Sequence, residues 1–205
     1  MLSAVASGQV AAVVVGGSAG AIQSLLRLFP GIQAAAAIPF VTVIHLAPRR
    51  PSLLTELFSE RCSLPVHEPR DKEPVTRGIW FAPPDYHLLI EKDRTFSLSL
   101  DQPELHSRPS IDALFESAAD CYGGALLGIV LTGASRDGAR GVRAICESGG
   151  RCFALGSDGS AYFSTMPNAA IEQGAAMATL SDLAVLLQDA GDIHLKEGCL
   201  FEKHP

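Results

Sequence analysis

The apolar run Ala11 to Val15 breaks at Gly16-Gly17-Ser18-Ala19-Gly20 and passes at once into a stretch where Ile22, Leu25, Leu26 and Phe29 recur at helical spacing. A continuous apolar run of that length suits a central parallel strand buried on both faces. The glycines suit a sharp turn from strand to helix, and Pro30-Gly31 ends the helix. Ser18 stands between Gly16 and Gly20 in the G-x-S-x-G pattern of a nucleophile elbow. A bulkier residue in place of either glycine is expected to clash in the turn and block substrate. The following helix would aim its unpaired N–H groups at the serine oxygen and at any anion forming there. Glycine-rich turns after a first strand also cradle phosphates and dinucleotides. Against the dinucleotide reading, residues 32–48 hold no Asp or Glu where a ribose-binding acid is expected. A P-loop is excluded, because no Gly-Lys-Ser/Thr follows.

The alternation continues along the chain. Pro39 to Ile44 reads as a second buried strand closed by His45 and Pro48, and Leu54, Leu57 and Phe58 mark a helix. Residues 66–77 are charged, carry two prolines, and read as a surface connection. Gly78 to Ala82 and Tyr86 to Leu100 alternate, and Lys92-Asp93-Arg94 between apolar runs predicts an antiparallel hairpin near residues 78–100. After a polar loop at 101–109, Ser110 caps a helix with Ile111, Leu114, Phe115 and Ala118 on one face. Leu126 to Leu131 is a strand, and Gly133 to Gly141 turns into a helix carrying Val142 and Ile145. Arg151 to Leu155 is a strand and 156–165 a long loop, with Pro167 suited to the first turn of a helix. A short strand near 176–180 precedes a helix capped by Ser181, and the last dozen residues carry little pattern. Strands alternating with helices predict an α/β fold: a doubly wound, mostly parallel sheet flanked by helices, with right-handed crossovers. Its chemistry belongs past the carboxyl ends of the strands.

At 205 residues one domain is expected, spanning 8–190, with a C-terminal tail at 191–205. A net charge of −6 without a basic block argues against nucleic acid and anionic membranes as partners. The five cysteines form no C-x-x-C, which reads as reduced thiols in a cytoplasmic protein. No apolar run reaches the roughly 18 residues of a membrane helix. No charged leader precedes the first apolar run, so no signal peptide is expected. No His/Cys/Asp cluster has metal-ligand spacing, so neither metal nor cofactor is expected.

Three polar groups fall at strand ends: Ser18, His45 and Asp137. A serine hydroxyl needs a base within hydrogen-bond reach, and that base needs an orienting group. His45 and Asp137 fit those roles, and the three together are a more specific signal than any one alone. Their chain order is Ser, His, Asp, whereas α/β-hydrolases run Ser, Asp/Glu, His, so an ordinary α/β-hydrolase is disfavoured.

At these residues the chain resembles the catalytic domain of the chemotaxis protein-glutamate methylesterases, the CheB family. The matching stretches are Val14 to Gly20, Ile44-His45-Leu46-Ala47-Pro48, Phe81 to His87, Arg108 to Phe115, Leu131 to Gly138, and Met166-Pro167 with Ala169-Ala170-Ile171. The resemblance implies Ser18 as nucleophile, His45 as general base and Asp137 as orienting acid. The oxyanion donors it implies are the backbone amides of Ala19 and Ala134. It implies hydrolysis of glutamate γ-methyl esters on chemoreceptors with release of methanol, and many members also deamidate receptor glutamines. The implied partners are the cytoplasmic helical region of methyl-accepting chemotaxis receptors and a separate regulatory receiver protein. Arg108 is a candidate for binding an acidic substrate group. Asp85 and His87 match a family motif and suit turn or hydrogen-bonding roles.

Two departures stand out. The family's usual Gly-Met-Gly-x-Asp-Gly turn is here Gly133-Ala134-Ser135-Arg136-Asp137-Gly138, and Ser135 is costly there if the position needs a positive φ. The first strand starts within about ten residues of Met1, leaving no room for the receiver domain that usually precedes it, so a stand-alone enzyme or a fragment is expected. Two competing functions remain: a catalytically silent docking module of the same fold, and a nucleotide-binding α/β domain.

Overall fold

The computed structural model describes residues 10–46, 52–156 and 163–198, with side chains through 190. Along the chain, β1 (Ala12–Gly17) leads into α1 (Ala21–Leu28) and a 3-10 turn at Phe29–Gly31. Then come β2 (Pro39–Ile44), α2 (Leu54–Ser59), β3 (Val66–His67), β4 (Gly78–Phe81), β5 (His87–Ile90) and β6 (Phe96–Ser99). The second half holds α3 (Ile111–Tyr122), β7 (Leu126–Val130), α4 (Ala139–Glu147), β8 (Arg151–Leu155), α5 (Thr165–Glu172), β9 (Ala176–Ala178) and α6 (Leu180–Gly198). Seven strands form one sheet in the order β3-β4-β2-β1-β7-β8-β9, and every pairing in it is parallel. β5 and β6 make a separate antiparallel hairpin. The doubly wound α/β architecture is as the sequence predicts.

All six residues of β1 are buried, because helices cover both faces of the sheet. Side chains alternate between two cores, as a period of two requires. Val13 and Val15 join Leu25, Phe29, Phe58, Phe81 and Leu187 on one face. Ala12 and Val14 join Trp80, Ile111, Phe115, Val142 and Ile145 on the other. A Cβ on Gly16 would run into the side chain of Ile111, the first residue of α3. The obstacle to a larger residue at Gly16 is therefore the packed helix, where substrate was expected. Gly20 has φ +83 and leads into α1, a conformation that side-chain-bearing residues rarely adopt.

The antiparallel pair is confined to residues 87–99, while Gly78–Phe81 joins the parallel sheet beside β2, fully buried. The charged connection at 66–77 contains β3, a two-residue edge strand on β4. The cap of α6 is Thr179, where Ser181 was expected: Thr179 Oγ1 accepts the Asp182 N–H, and the Asp182 carboxylate accepts the Thr179 N–H. α6 runs through the boundary placed at 190, to Gly198. Pro48, the middle of the 156–165 loop, the first two residues of the 8–190 domain, Cys199 and the end of the tail lie outside the described residues. Among the described residues no helix is long and apolar enough to cross a membrane.

Candidate active site

The first strand switches partners at the centre of the sheet: the chain winds outward from β1 through β2 on one side and later returns to β7 on the other. Such a switch point opens a crevice at the carboxyl ends of the strands. Ser18, His45 and Asp137 follow β1, β2 and β7, which are adjacent. Gly17 and Ile44 are register partners, so Ser18 and His45 occupy the next position on neighbouring strands. The His45 N–H donates to the Gly17 carbonyl at 3.0 Å, which continues the ladder by one residue.

Asp137 is fully buried. Its Oδ1 accepts from the Ser110 hydroxyl at 2.9 Å and the Asp112 N–H at 3.0 Å, and its Oδ2 from the Ile111 N–H at 2.7 Å. His45 Nε2 donates to the same Oδ2 at 2.7 Å. The Ser110, Ile111 and Asp112 donors all come from the N-terminus of α3, where backbone amides lack helical partners and favour an anion. Burial alone would raise the Asp137 carboxyl. The hydrogen bonds from His45, Ile111 and Asp112 outweigh it and hold the group below its ordinary value. Asp137 is thus an ionised acceptor, and His45 carries its proton on Nε2. That leaves Nδ1 as the basic nitrogen.

The serine turn is tied to the end of β7. The Ser18 N–H donates to the Thr132 carbonyl at 2.8 Å, and the Thr132 hydroxyl donates to the Ala19 carbonyl at 2.8 Å. Ala19 and Ala134 flank this junction. Among the described residues, neither amide has a hydrogen-bond acceptor. Ser135 has no positive φ, so the expected strain is absent, and its hydroxyl accepts the Asp137 N–H at 3.2 Å.

A cavity of about 390 Å³ opens beside His45, lined also by Leu46, Asp85, Ser107, Arg108 and Pro109. Arg108 Nη1 donates to the carbonyls of Leu100 and Asp101, both at 3.0 Å, clamping the loop before α3. Among the described residues, its buried Nε has no partner.

Two contributors escape a reading of the sequence, and His87 is foreseen only as a hydrogen-bonding residue. Ser110 is legible as a helix cap, accepting from Ala113, but its bond to Asp137 is not. His87 is buried: Nδ1 accepts the Ser110 N–H and Nε2 donates to the Gln102 carbonyl, both at 3.1 Å, so its ring is neutral and supports the Asp137 cradle from behind. The Pro83-Pro84-Asp85-Tyr86-His87 stretch was its only signal. Ser107, with Oγ 3.2 Å from His45 Nδ1, had none.

The family model described as CheB methylesterase matches residues 13–187. A protein of Leptospira interrogans (serovar copenhageni), provisionally named a protein-glutamate methylesterase/protein-glutamine glutaminase, is 38% identical over 187 residues, which cover 90% of this chain and 93% of that protein. The protein-glutamate methylesterase/protein-glutamine glutaminase of Trichodesmium erythraeum is 38% identical over 143 residues, covering 68% of this chain and 41% of its own length. Among solved structures, the CheB methylesterase catalytic domain of Thermotoga maritima superposes with a TM-score of 0.82 at 28% identity, covering 89% of this chain and 98% of that domain. With the serine turn, the histidine and the aspartate brought to adjacent strand ends, and a family match across most of its length, this chain belongs to the CheB methylesterase family.

Proposed function

We propose that this chain is a serine hydrolase that demethylates glutamate γ-methyl esters on chemoreceptors, with Ser18, His45 and Asp137 as its catalytic residues. The observation that carries this reading is the 2.7 Å bond from His45 Nε2 to Asp137, beside the Ser18 turn at the strand ends. Ser18 Oγ attacks the ester carbonyl while its proton passes to His45 Nδ1. The carbonyl oxygen becomes an oxyanion facing the amides of Ala19 and Ala134. Collapse breaks the bond to the methoxy oxygen, which leaves as methanol with the proton from Nδ1. Water repeats the sequence on the acyl-serine, giving glutamate and restoring Ser18. With a glutamine side chain the same steps release ammonia, so deamidation needs no further group. Asp137 keeps the ring in the tautomer whose Nδ1 is free to accept.

Arg108, which lines the cavity, is suited to an acidic substrate group there. The substrate is the cytoplasmic helical region of methyl-accepting receptors, which places the enzyme in the cytoplasm, with control by a separate receiver protein. The docking-module alternative is disfavoured by relatives that carry enzyme names.

Ser18→Ala tests the assignment. Alanine fits wherever serine does, so the melting temperature stays within a few degrees of wild type. Methanol release falls by at least about 1000-fold, leaving what binding and the oxyanion amides supply alone. Methanol release by Ser18→Ala near the wild-type rate rejects Ser18 as nucleophile.

A further inference from the structure

Among the described residues, the hydrogen-bond partners of the His45 ring are Asp137 at Nε2 and Ser107 at Nδ1. Ser18 is not one of them. Because Asp137 accepts the Nε2 proton, Nδ1 carries the lone pair, and the Ser107 hydroxyl donates into it. The nitrogen that must deprotonate Ser18 is therefore held by a second serine. We propose that Ser107 is a positioning residue that occupies His45 Nδ1 in the resting enzyme and must release it before Ser18 can be deprotonated. This rests on the reading of Ser18 as nucleophile and His45 as base.

The turn that presents Ser107 is built for fixed placement. Glu104 and Ser107 exchange backbone hydrogen bonds of 3.1 and 2.7 Å. The two residues between them, Leu105 and His106, both have positive φ, at 45° and 68°. Leucine rarely adopts that region, and such backbone persists where surrounding contacts hold it. Here Glu104 is held by Arg140 of α4 at 2.6 Å, and Arg140 also grips Glu116 of α3 at 2.8 Å. Ser107 is thus fixed relative to the two helices that flank Asp137. It also borders the cavity, so substrate entering there meets the turn and can displace the hydroxyl.

Ser107 is poorly equipped to act as a nucleophile itself. Its own amide is taken up by the Glu104 carbonyl, and it sits in a turn with no helix starting directly after it. Ser18 instead stands at a helix start beside the unpartnered amides of Ala19 and Ala134.

The experiment compares wild type, Ser107→Ala and Ser107→Thr. A small fluorophosphonate labels the enzyme by displacement of fluoride by serine oxygen, the proton going to His45, and mass spectrometry assigns the labelled serine. The Nδ1 resonance of His45 is followed in nitrogen-15 spectra of the unlabelled enzymes. Ser107→Ala is expected to label at Ser18 about two- to tenfold faster than wild type, the range of one competing hydrogen bond. Its Nδ1 resonance moves toward that of an imidazole nitrogen without a donor. Ser107→Thr, which keeps the hydroxyl, stays at wild type in both. An unchanged or slower rate in Ser107→Ala, or an unmoved Nδ1 resonance, overturns the proposal while leaving Ser18 as nucleophile. Labelling of wild type at Ser107 overturns it in favour of Ser107 as nucleophile. Labelling at neither serine overturns both this inference and the proposed function.

Discussion

An ionised carboxylate removed from water is unfavourable by several kcal/mol unless donors replace its hydration. Asp137 has four: the Ser110 hydroxyl, the amides of Ile111 and Asp112, and His45 Nε2. An asparagine there keeps one oxygen and turns the other position into a donor. That donor must oppose either the α3 amides or the imidazole N–H. The ring can relieve the conflict by moving its proton to Nδ1, which takes away the lone pair proposed to accept the Ser18 proton. Asp137→Asn is therefore expected to lower kcat on the order of 10³- to 10⁴-fold, with KM changed only a few-fold. Steady-state kinetics on a methyl-esterified receptor peptide check this, and a variant with near-normal kcat would show that Asp137 does not orient the base.

The start of α3 acts on both ends of the site, since Ile111 touches Gly16 below the serine turn and donates to Asp137. Gly16→Ala places a methyl group where Ile111 sits, so the helix start must shift. A loss of about 1 to 3 kcal/mol of stability is expected, with kcat lowered as the cradle of Asp137 opens. Thermal melts and turnover measured on the same preparation check both. A second buried carboxylate, Asp112 in the first turn of this helix, is pushed up to about 6, chiefly by burial and also by nearby Asp137, against the Gly141 N–H and Arg140. The unfolded chain ionises this group near the ordinary value of about 4. Between those values the folded state holds more protons, so stability falls as pH rises through the window and stays lower above it. Asp137 works in the opposite sense: with its folded value depressed, its contribution is present above the unfolded value and is lost as pH falls toward the folded one. Asp112→Asn should stabilise the protein at pH 7.5 by up to about 2 to 3 kcal/mol and have little effect near pH 4. Equal effects at the two values would mean that Asp112 does not ionise within the window.

Over the whole molecule, what can be read in advance is what local chemistry specifies. β1, β2, β7 and β8 are visible because strands buried on both faces are continuous apolar runs, and α3 because Ser110 caps it. β3 is invisible: two residues in a charged stretch, paired to β4 at the sheet edge. Gly78–Phe81 and the hairpin after it share one alternating pattern, and the partner that separates them, β2, lies far back in the chain. Ser18 and His45 are legible as polar residues ending apolar runs, and Asp137 as an acid in the Gly-rich turn after one. The role of Ser107, the partner found by His87 and the second role of Ser110 are not, because each is a contact formed across 62, 23 and 27 residues respectively. The same separations govern how the protein comes into being. His45 meets Asp137 across 92 residues, and the Ser18 turn is fastened to Thr132 across 113. Ordering such distant segments is slow, whereas helices form within microseconds. During refolding from denaturant, helical ellipticity should return ahead of the ability of Ser18 to react with a fluorophosphonate, which returns with the slowest phase. Reactivity recovered together with the first helical signal would mean that the serine turn is competent before β7 docks beside β1, and that Asp137, 92 residues away from His45, joins a serine already reactive.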